Sequence, residues 1–598
     1  MKTVMFITLL AVFALYSCSK YLDKTPDEDL TLTDVFSSRL YTEAFLTSMY
    51  AGQAWEINPV DIDGTNNYAS PWTGASDEME ITFNGSYTHY LNNGGWNAQN
   101  IVSNWQFAYQ TIRKANLFLE NIDQLPLQNE YTQEDKDHWI GETYFIRAFD
   151  HFNVFRLYGP MPVMDRSWGT DEDYTTIRRS PVDSSVAFMV RDCDAAAALL
   201  PVTVTSEKLG RATKAAALAL KARILLYAAS PLFNGNSDFK DFIDPDGIAL
   251  FPQSYDANKW VLAANAAKAC IDACEAAGYG LYTAASGDPL DNYQNLFLVN
   301  NNKEVLWATN HSYFQHLERC SNPLGYGGYS ILSVSQQLVD AYRDTAGRSV
   351  ITGYNADGSP VINSATGYTE TGFATASGKY WPSGVSNMYV AREPRFYASV
   401  HYSGSVWKNA TVQMYYSGKD GVSQNASDFS KTGYVLKKFS NPLITISTNT
   451  GWDLKTFIRF RLGEQYLNYA EALNESSGPV SDVYKYINAI RNRSGLPDLA
   501  AGLSQSEMRE QIRLERRIEL AFEGHRYFDA RRWKIAATTN NGNLYGLNIY
   551  SGTSLTDASF FKRTVADKRV FSAPRDYFWP VPQSEMDKAP NLLQSMYW

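Results

Sequence analysis

Residues 515–534 read ERRIELAFEGHRYFDARRWK. Glu515, Glu519 and Glu523 recur every four residues, with His525 and Asp529 close behind, which invites a metal or acid–base reading. Arg513, Arg516, Arg517, Arg526, Arg531 and Arg532 interleave with those carboxylates. Opposite charges three or four apart, such as Arg516 with Glu519 and Glu523 with Arg526, pair along a helix. A cationic surrounding also competes with a metal ion. The expectation is therefore a structural ion-pair network between helices, on a helix predicted over about Ser506 to Trp533.

Working outward, three other segments share a pattern: YFIRAFDHFNVFRLYG from Tyr144, AALALKARILLYAASP from Ala216 and RLGEQYLNYAEALNES from Arg461. Each places small residues and aromatics on a helical face, and each is followed by a break and another helix. This resembles helix pairs of the tetratricopeptide kind, in which small residues let paired helices approach. The predicted fold is mainly α, an α-α superhelix of such pairs, with a loop-rich ligand-binding part and a few short strands.

Further helices are predicted over about Thr33–Trp55, Asn100–Ile122, Glu134–Leu157, Thr213–Ala229, Ala257–Ala277, Thr456–Asn474 and Val480–Ser494. Gly159-Pro160 stops the third of these. Ser180-Pro181-Val182-Asp183 reads as a helix start, with Ser180 as N-cap and Pro181 at the first helical position. Residues 56–98 mix Gly, Asn, Asp and aromatics without a period, as a long functional loop does. From 278 to 451 helical runs are brief, Ser333–Arg343 being one, with strand-like pieces at Glu304–Ala308 and Tyr434–Phe439. The tail after Ala537 reads as loop.

The N-terminus, MKTVMFITLLAVFALYSC, carries Lys2, then an uncharged run from Val4 to Leu15, then Ser17 before Cys18. That is a secretory signal ending at a lipoprotein processing site. The run is too short to span a bilayer core of ~30 Å, which needs roughly 20 apolar residues. Cys18 then resembles the acylated N-terminal cysteine of bacterial lipoproteins, where two or more acyl chains anchor a protein stably. The organisation expected is a signal peptide over 1–17, a lipidated tether over 18–32 and a helical region over 33–277 with its ligand loop at about 56–98. A loop-rich middle segment over 278–451 and a C-terminal helical region over 452–598 follow.

Seven segments together resemble the SusD/RagB family of outer-membrane lipoproteins from Bacteroidetes. They are CSKYLDKTP at Cys18, ASDEM at Ala75, WQFAYQTIRKANLFLENI at Trp105, RAFDHFNVFRLYGPMPV at Arg147, FRLGEQYLNYAEALNE at Phe460, INAIRNRSGLP at Ile487 and the 515–534 stretch. The likeness covers nearly the whole chain. It implies four tetratricopeptide-like helix pairs as scaffold, with an irregular part carrying the ligand site. It also implies a partner, a SusC-like TonB-dependent transporter that the lipoprotein caps at the cell surface. Such pairs import glycans or, in some members, peptides.

Composition agrees with a globular protein: 44% hydrophobic and 19% charged residues. A net charge of −10 disfavours nucleic acid as the main partner. Cys193, Cys270, Cys274 and Cys320 form no C-x-x-C and no zinc spacing, and Cys270 and Cys274 read as small buried hydrophobes on an alanine-rich helix. No cofactor or metal is expected.

Aromatic residues make up 14% of the chain, many of them in Gly/Asn/Ser-rich segments. A Trp or Tyr ring gives a flat platform for the apolar face of a sugar, while Asp, Asn and Arg bind its hydroxyl rim. Trp72, Asp77, Tyr87, Trp96 and Asn97 in the first aperiodic segment are candidates, with His311, Tyr313, Phe314, Arg319, Tyr326 and Tyr329 in the middle one. By position these regions resemble the family's glycan platform. Trp105, Trp139 and Trp533 fall on helical faces and read as core. Asp77, Glu78 and Glu80 could form a glycosidase pair only if two carboxylates face each other at ~5–9.5 Å; an acid cluster in a polar loop is more often solvated or bonded to its own backbone. The reading is a surface lipoprotein that binds a nutrient glycan without hydrolysis. A peptide binder, a glycoside hydrolase and a transporter-stabilising scaffold are the alternatives.

Overall fold

The computed structural model describes residues 31–52, 71–83, 85–102, 104–125, 131–169, 171–311, 315–448 and 455–598. Its long helices in chain order are α1 (Arg39–Gly52), α2 (Asn104–Asn121), α3 (Gln133–Tyr158), α4 (Val182–Leu199), α5 (Lys214–Ala229), α6 (Asn258–Ala276), α7 (Leu462–Ser477), α8 (Ser481–Arg493) and α9 (Gln505–Glu519); the shorter α10 (His525–Arg532) follows. From α2 to α8 each helix packs on the next, and α9 lies against α7. The chain thus builds the tetratricopeptide-like superhelix expected of it.

Local chemistry sets the helix ends. Thr132 and Asp135 form a capping box at the start of α3, and Gly159 closes it at φ +69°. A second box, Ser504 with Glu507, opens α9. Ala215, Ala216, Ala217, Ala219 and Ala222 of α5 are fully buried, so neighbouring helices can come close. Cys270 and Cys274 are buried thiols whose sulfurs lie 4.0 Å apart along α6. Trp105, Trp139 and Trp533 are core, as their helical faces imply.

Several boundaries differ from the sequence expectation. Ser180 is not the cap of α4: Pro181 holds that position without a side-chain bond, and the Ser180 N–H instead donates to Met161 O. Residues Lys455–Arg461 form a strand rather than the first turns of α7, because they pair antiparallel with Val305–His311. These two strands bracket the middle segment, so the chain leaves the helical scaffold and returns to it at one place. The stretch Ser506–Trp533 is not a single helix. It breaks at Leu520–Gly524, where Phe522 (φ +65°) and Gly524 (φ +77°) turn the chain and Phe522 enters a second core. The tail is not all loop, since Gly542–Leu547 and Arg563–Arg569 make an antiparallel pair.

Short antiparallel pairs carry the middle segment: Met79–Ile81 with Leu332–Val334, Ile351–Tyr354 with Pro360–Ile362, and Val400–Tyr402 with Tyr434–Leu436. Apolar residues divide into two cores, one among the helices and one under the middle segment. Ile518, Ala521 and Phe522, at the end of α9, belong to the second.

The 515–534 stretch joins the two cores through buried ion pairs, although not those expected along its own helix. Arg516 turns to Asp529 at 2.7 Å. Glu519 meets Arg395 at 3.0 Å and Arg461 at 2.9 Å, and also pairs with Arg493. Glu515 meets Arg395 at 2.7 Å and Arg491 at 3.3 Å. Glu523 holds Arg461 and Lys438, each at 2.8 Å. Glu304 and Glu393 complete the set, on Arg461 and Arg395. The cations come from the middle segment, the strand Lys455–Arg461 and α8, so the network clamps distant parts of the chain together.

Candidate functional site

The first group of candidate residues is brought together, but as core. Trp72, Tyr87 and Trp96 are 6%, 7% and 3% exposed and converge on Trp579, at ring distances of 5.6, 6.5 and 6.0 Å. Trp96 also lies edge-on to Trp598 at 4.7 Å. The C-terminal tail covers these rings, so none offers a free face to a sugar. Asn97 is exposed, with its side-chain oxygen accepting from Gln99 N at 2.8 Å.

The acids of that segment are buried rather than solvated. Asp77 takes Arg526 and Arg517 at 2.7 Å each; burial opposes its charge, but those two guanidinium groups hold its carboxyl well below the usual range. Glu80 meets Arg569 and Lys431, both at 3.1 Å. Burial pushes Glu78 up to about 8, and the charge of Asp77 adds to the shift. Asp77 and Glu80 are thus each engaged by cations instead of facing one another across an open cleft.

The middle segment presents a different surface. Leu324–Tyr326 is a tight turn closed by Gly327 at φ +83°. Its base is fixed where Trp407 Nε1 donates to Asn322 Oδ1 at 2.8 Å and Gly325 N donates to Asp420 Oδ1 at 2.8 Å. Tyr326 stands half-buried on this turn. Its hydroxyl donates to Ala410 O at 2.6 Å, and Lys419 Nζ sits 4.0 Å from the ring centroid. Asp420 is raised by burial, against which the N–H groups of Gln413 and Gly325 stabilise its charge. Tyr329 N donates to Arg319 O at 2.6 Å, which sets half-buried Arg319 beside the same loop. Thr82 N donates to Ile331 O, continuing the Met79–Val334 pairing and bringing Phe83, 43% exposed, alongside. Tyr416, also 43% exposed, lies on the 413–421 turn that supplies Lys419 and Asp420.

Of the middle candidates, then, Tyr326 and Tyr329 share one loop, and Arg319, on the short helix Gln315–Ser321, lies beside it. His311 ends its strand opposite Lys455. Tyr313, Phe314 and Cys18 lie outside the described residues. Phe83, Lys419 and Asp420 were not singled out by the sequence. Phe83 falls inside the aperiodic 56–98 segment and could have been flagged there, whereas nothing local marks Lys419 or Asp420.

A concavity of about 200 Å³ lies between α2, the 162–177 loop and the C-terminal 585–592 segment. Its polar atoms are already engaged: Tyr109 Oη donates to Pro162 O, Asn116 Nδ2 to Met164 O and Arg113 Nε to Trp168 O. It is smaller than the ~300–1,000 Å³ of ordinary ligand pockets. Among the described residues no group of three His, Cys, Asp or Glu could hold a metal ion, and no helix is long and apolar enough to cross a membrane.

The SusD family model matches residues 292–598, and a second, described as starch-binding and associating with the outer membrane, matches residues 20–226. The chain belongs to the SusD/RagB family. It is similar to SusD-like protein P2 of Formosa agariphila, with 24% identity over 82% of this chain and 79% of that one. Among solved structures BT4246 superposes with a TM-score of 0.82 at 25% identity, over 94% of this chain and 100% of its own. A SusD-like protein of Bacteroides fragilis, BF3747, gives 0.73 at 25%, over 96% and 100%. A laminarin-binding SusD-like protein shares the fold at 19% identity and a TM-score of 0.57, over 94% and 100%.

Proposed function

We propose that this protein is a cell-surface lipoprotein, held in the outer membrane through acylated Cys18, that binds a nutrient glycan. It passes the glycan to a SusC-like TonB-dependent transporter and breaks no bond in doing so. The observation that carries the reading is family membership along both halves of the chain, one half matching a model described as starch-binding and outer-membrane-associated. The Tyr326 loop supports it physically. A half-buried ring is fixed in place by its own hydroxyl bond, with Lys419 and Arg319 nearby to meet hydroxyls and buried Asp420 bracing the turn through the N–H groups of Gly325 and Gln413. Little side-chain freedom is left to lose on binding. The commitment of Asp77 and Glu80 to cations supports binding without hydrolysis.

The test is isothermal calorimetry of the purified protein against plant, host and microbial glycans, with reducing ends assayed in the same samples. Heat of binding without new reducing ends is expected. Release of reducing ends refutes the non-enzymatic reading. Absence of any glycan binding refutes the glycan and moves the assignment to a peptide ligand or a transporter scaffold.

A further inference from the structure

The hairpin Ile351–Ile362, the 370–373 loop and the approach to the strand Arg563–Arg569 enclose a cleft of about 450 Å³. This lies within the ~300–1,000 Å³ of ordinary ligand sites. None of its lining residues belongs to the Tyr326 loop. Phe373 and Tyr545 line it as half-buried rings, Glu370 and Arg563 as half-buried charges, and Asp357 and Lys562 as exposed ones.

The walls are rigid before any ligand arrives. Arg563 donates to both oxygens of Asp340, at 2.7 and 2.9 Å, and its Nε to both oxygens of Glu370, at 3.0 Å. Tyr354 Oη donates to Asp340 at 2.6 Å and Tyr368 Oη to Glu370 at 3.0 Å. Phe373 stands edge-on to buried Phe561 at 5.5 Å. Gly358 lets the hairpin tip close over Tyr545: a β-carbon there would fall 2.0 Å from the tyrosine hydroxyl. Lys562 has no ion pair among the described residues, so its ammonium is free to donate.

Lining chemistry selects the occupant. A purely apolar ligand would strip water from the exposed charges Asp357 and Lys562 without replacing its bonds. An anion meets Glu370 and Asp357, and a cation meets Arg563 and Lys562. A neutral polyhydroxylated ring satisfies both kinds of surface, with C–H groups on Phe373 or Tyr545 and hydroxyls toward the charges. We propose that this cleft is a second glycan subsite, taking one or two neutral sugar units at a place separate from the Tyr326 loop. The proposal rests on the glycan reading above. Two contacts on one polymer hold it far more firmly than either alone.

The experiment is native gel electrophoresis through amylopectin, laminarin, xylan and galactomannan, with wild type, Tyr326→Ala, Phe373→Ala, Lys562→Ala and Tyr326→Ala/Phe373→Ala. Circular dichroism melts confirm folding, and exposed Lys562 supplies a variant that leaves the core untouched. At least one polymer is expected to retard wild type, Phe373→Ala and Lys562→Ala to weaken retention about tenfold, and the double variant to run as on a blank gel. Retardation unchanged in both Phe373→Ala and Lys562→Ala overturns the cleft and leaves the glycan reading standing. Loss in the cleft variants with Tyr326→Ala unaffected supports the cleft and removes the Tyr326 loop. No retardation by any of the four polymers overturns both.

Discussion

Replacing Glu519 with Gln tests how the two halves of the molecule are held together. Glu519 is fully buried and meets Arg395, Arg461 and Arg493. Burial opposes its charge, yet these arginines hold its carboxyl far below the usual range. The named cluster balances Arg395, Arg461, Arg491, Arg493 and Lys438 against Glu304, Glu393, Glu515, Glu519 and Glu523. Gln keeps the volume and removes one negative charge, which leaves a buried cation uncompensated. Breaking a buried pair from one side costs about 3–5 kcal/mol. With an unfolding entropy of roughly 2.1 cal/mol/K per residue, a chain of 598 residues that melts as a unit loses about 3 °C. If the middle segment melts on its own, the shift is larger and the calorimetric trace splits. The assay is differential scanning calorimetry beside glycan titration of the same sample. A Glu519→Gln protein that melts like wild type, or that melts normally but no longer binds glycan, refutes a structural role for the cluster.

Three further outcomes are expected. Trp96→Ala removes a buried ring from the Trp579 cluster and costs about 3–5 kcal/mol, read by urea unfolding, while glycan affinity per folded molecule is unchanged. Glu78, raised to about 8 by burial, binds its proton more tightly folded than unfolded, where 4.5 applies. Wild-type stability therefore falls as pH rises from about 4.5 to about 8, and Glu78→Gln, neutral throughout, gains on wild type across that window. Equal pH slopes in denaturant titrations of the two proteins contradict this. Cys18→Ala is expected to move the protein from the membrane fraction to the soluble extracytoplasmic fraction, followed by immunoblot.

The helical scaffold was legible because its signals are local. Gly159 before Pro160 and the alanine face of α5 each lie within a few residues of the feature they determine. The fate of the aromatics was not. Trp72 and Trp96 sit in a Gly/Asn-rich stretch that reads as exposed, and residues far along the chain bury them: Tyr527, Phe528 and Trp579 against Trp72, Trp579 and Trp598 against Trp96. The 515–534 charges read correctly as a network, but their partners Arg395, Arg461 and Arg493 come from other elements, which spacing along one helix cannot reveal. Thr456–Arg461 was read as helix because its strand character depends on pairing with Val305–His311. Tyr326 was singled out as one of several aromatics in the Gly/Asn/Ser-rich middle segment, and the turn at Leu324–Tyr326 keeps its ring half-buried.

The proposed function places ligand on the Tyr326 loop and not on the tryptophan cluster beneath the C-terminal tail. Calorimetric titration of one glycan that binds wild type into Tyr326→Ala, Lys419→Ala and Trp96→Ala, each corrected for folded fraction, tests it most directly. At least tenfold weaker binding is expected for Tyr326→Ala, consistent with about 1.4 kcal/mol or more lost from one ring contact, a smaller loss for Lys419→Ala and none for Trp96→Ala. Wild-type affinity in Tyr326→Ala together with loss in Trp96→Ala contradicts it.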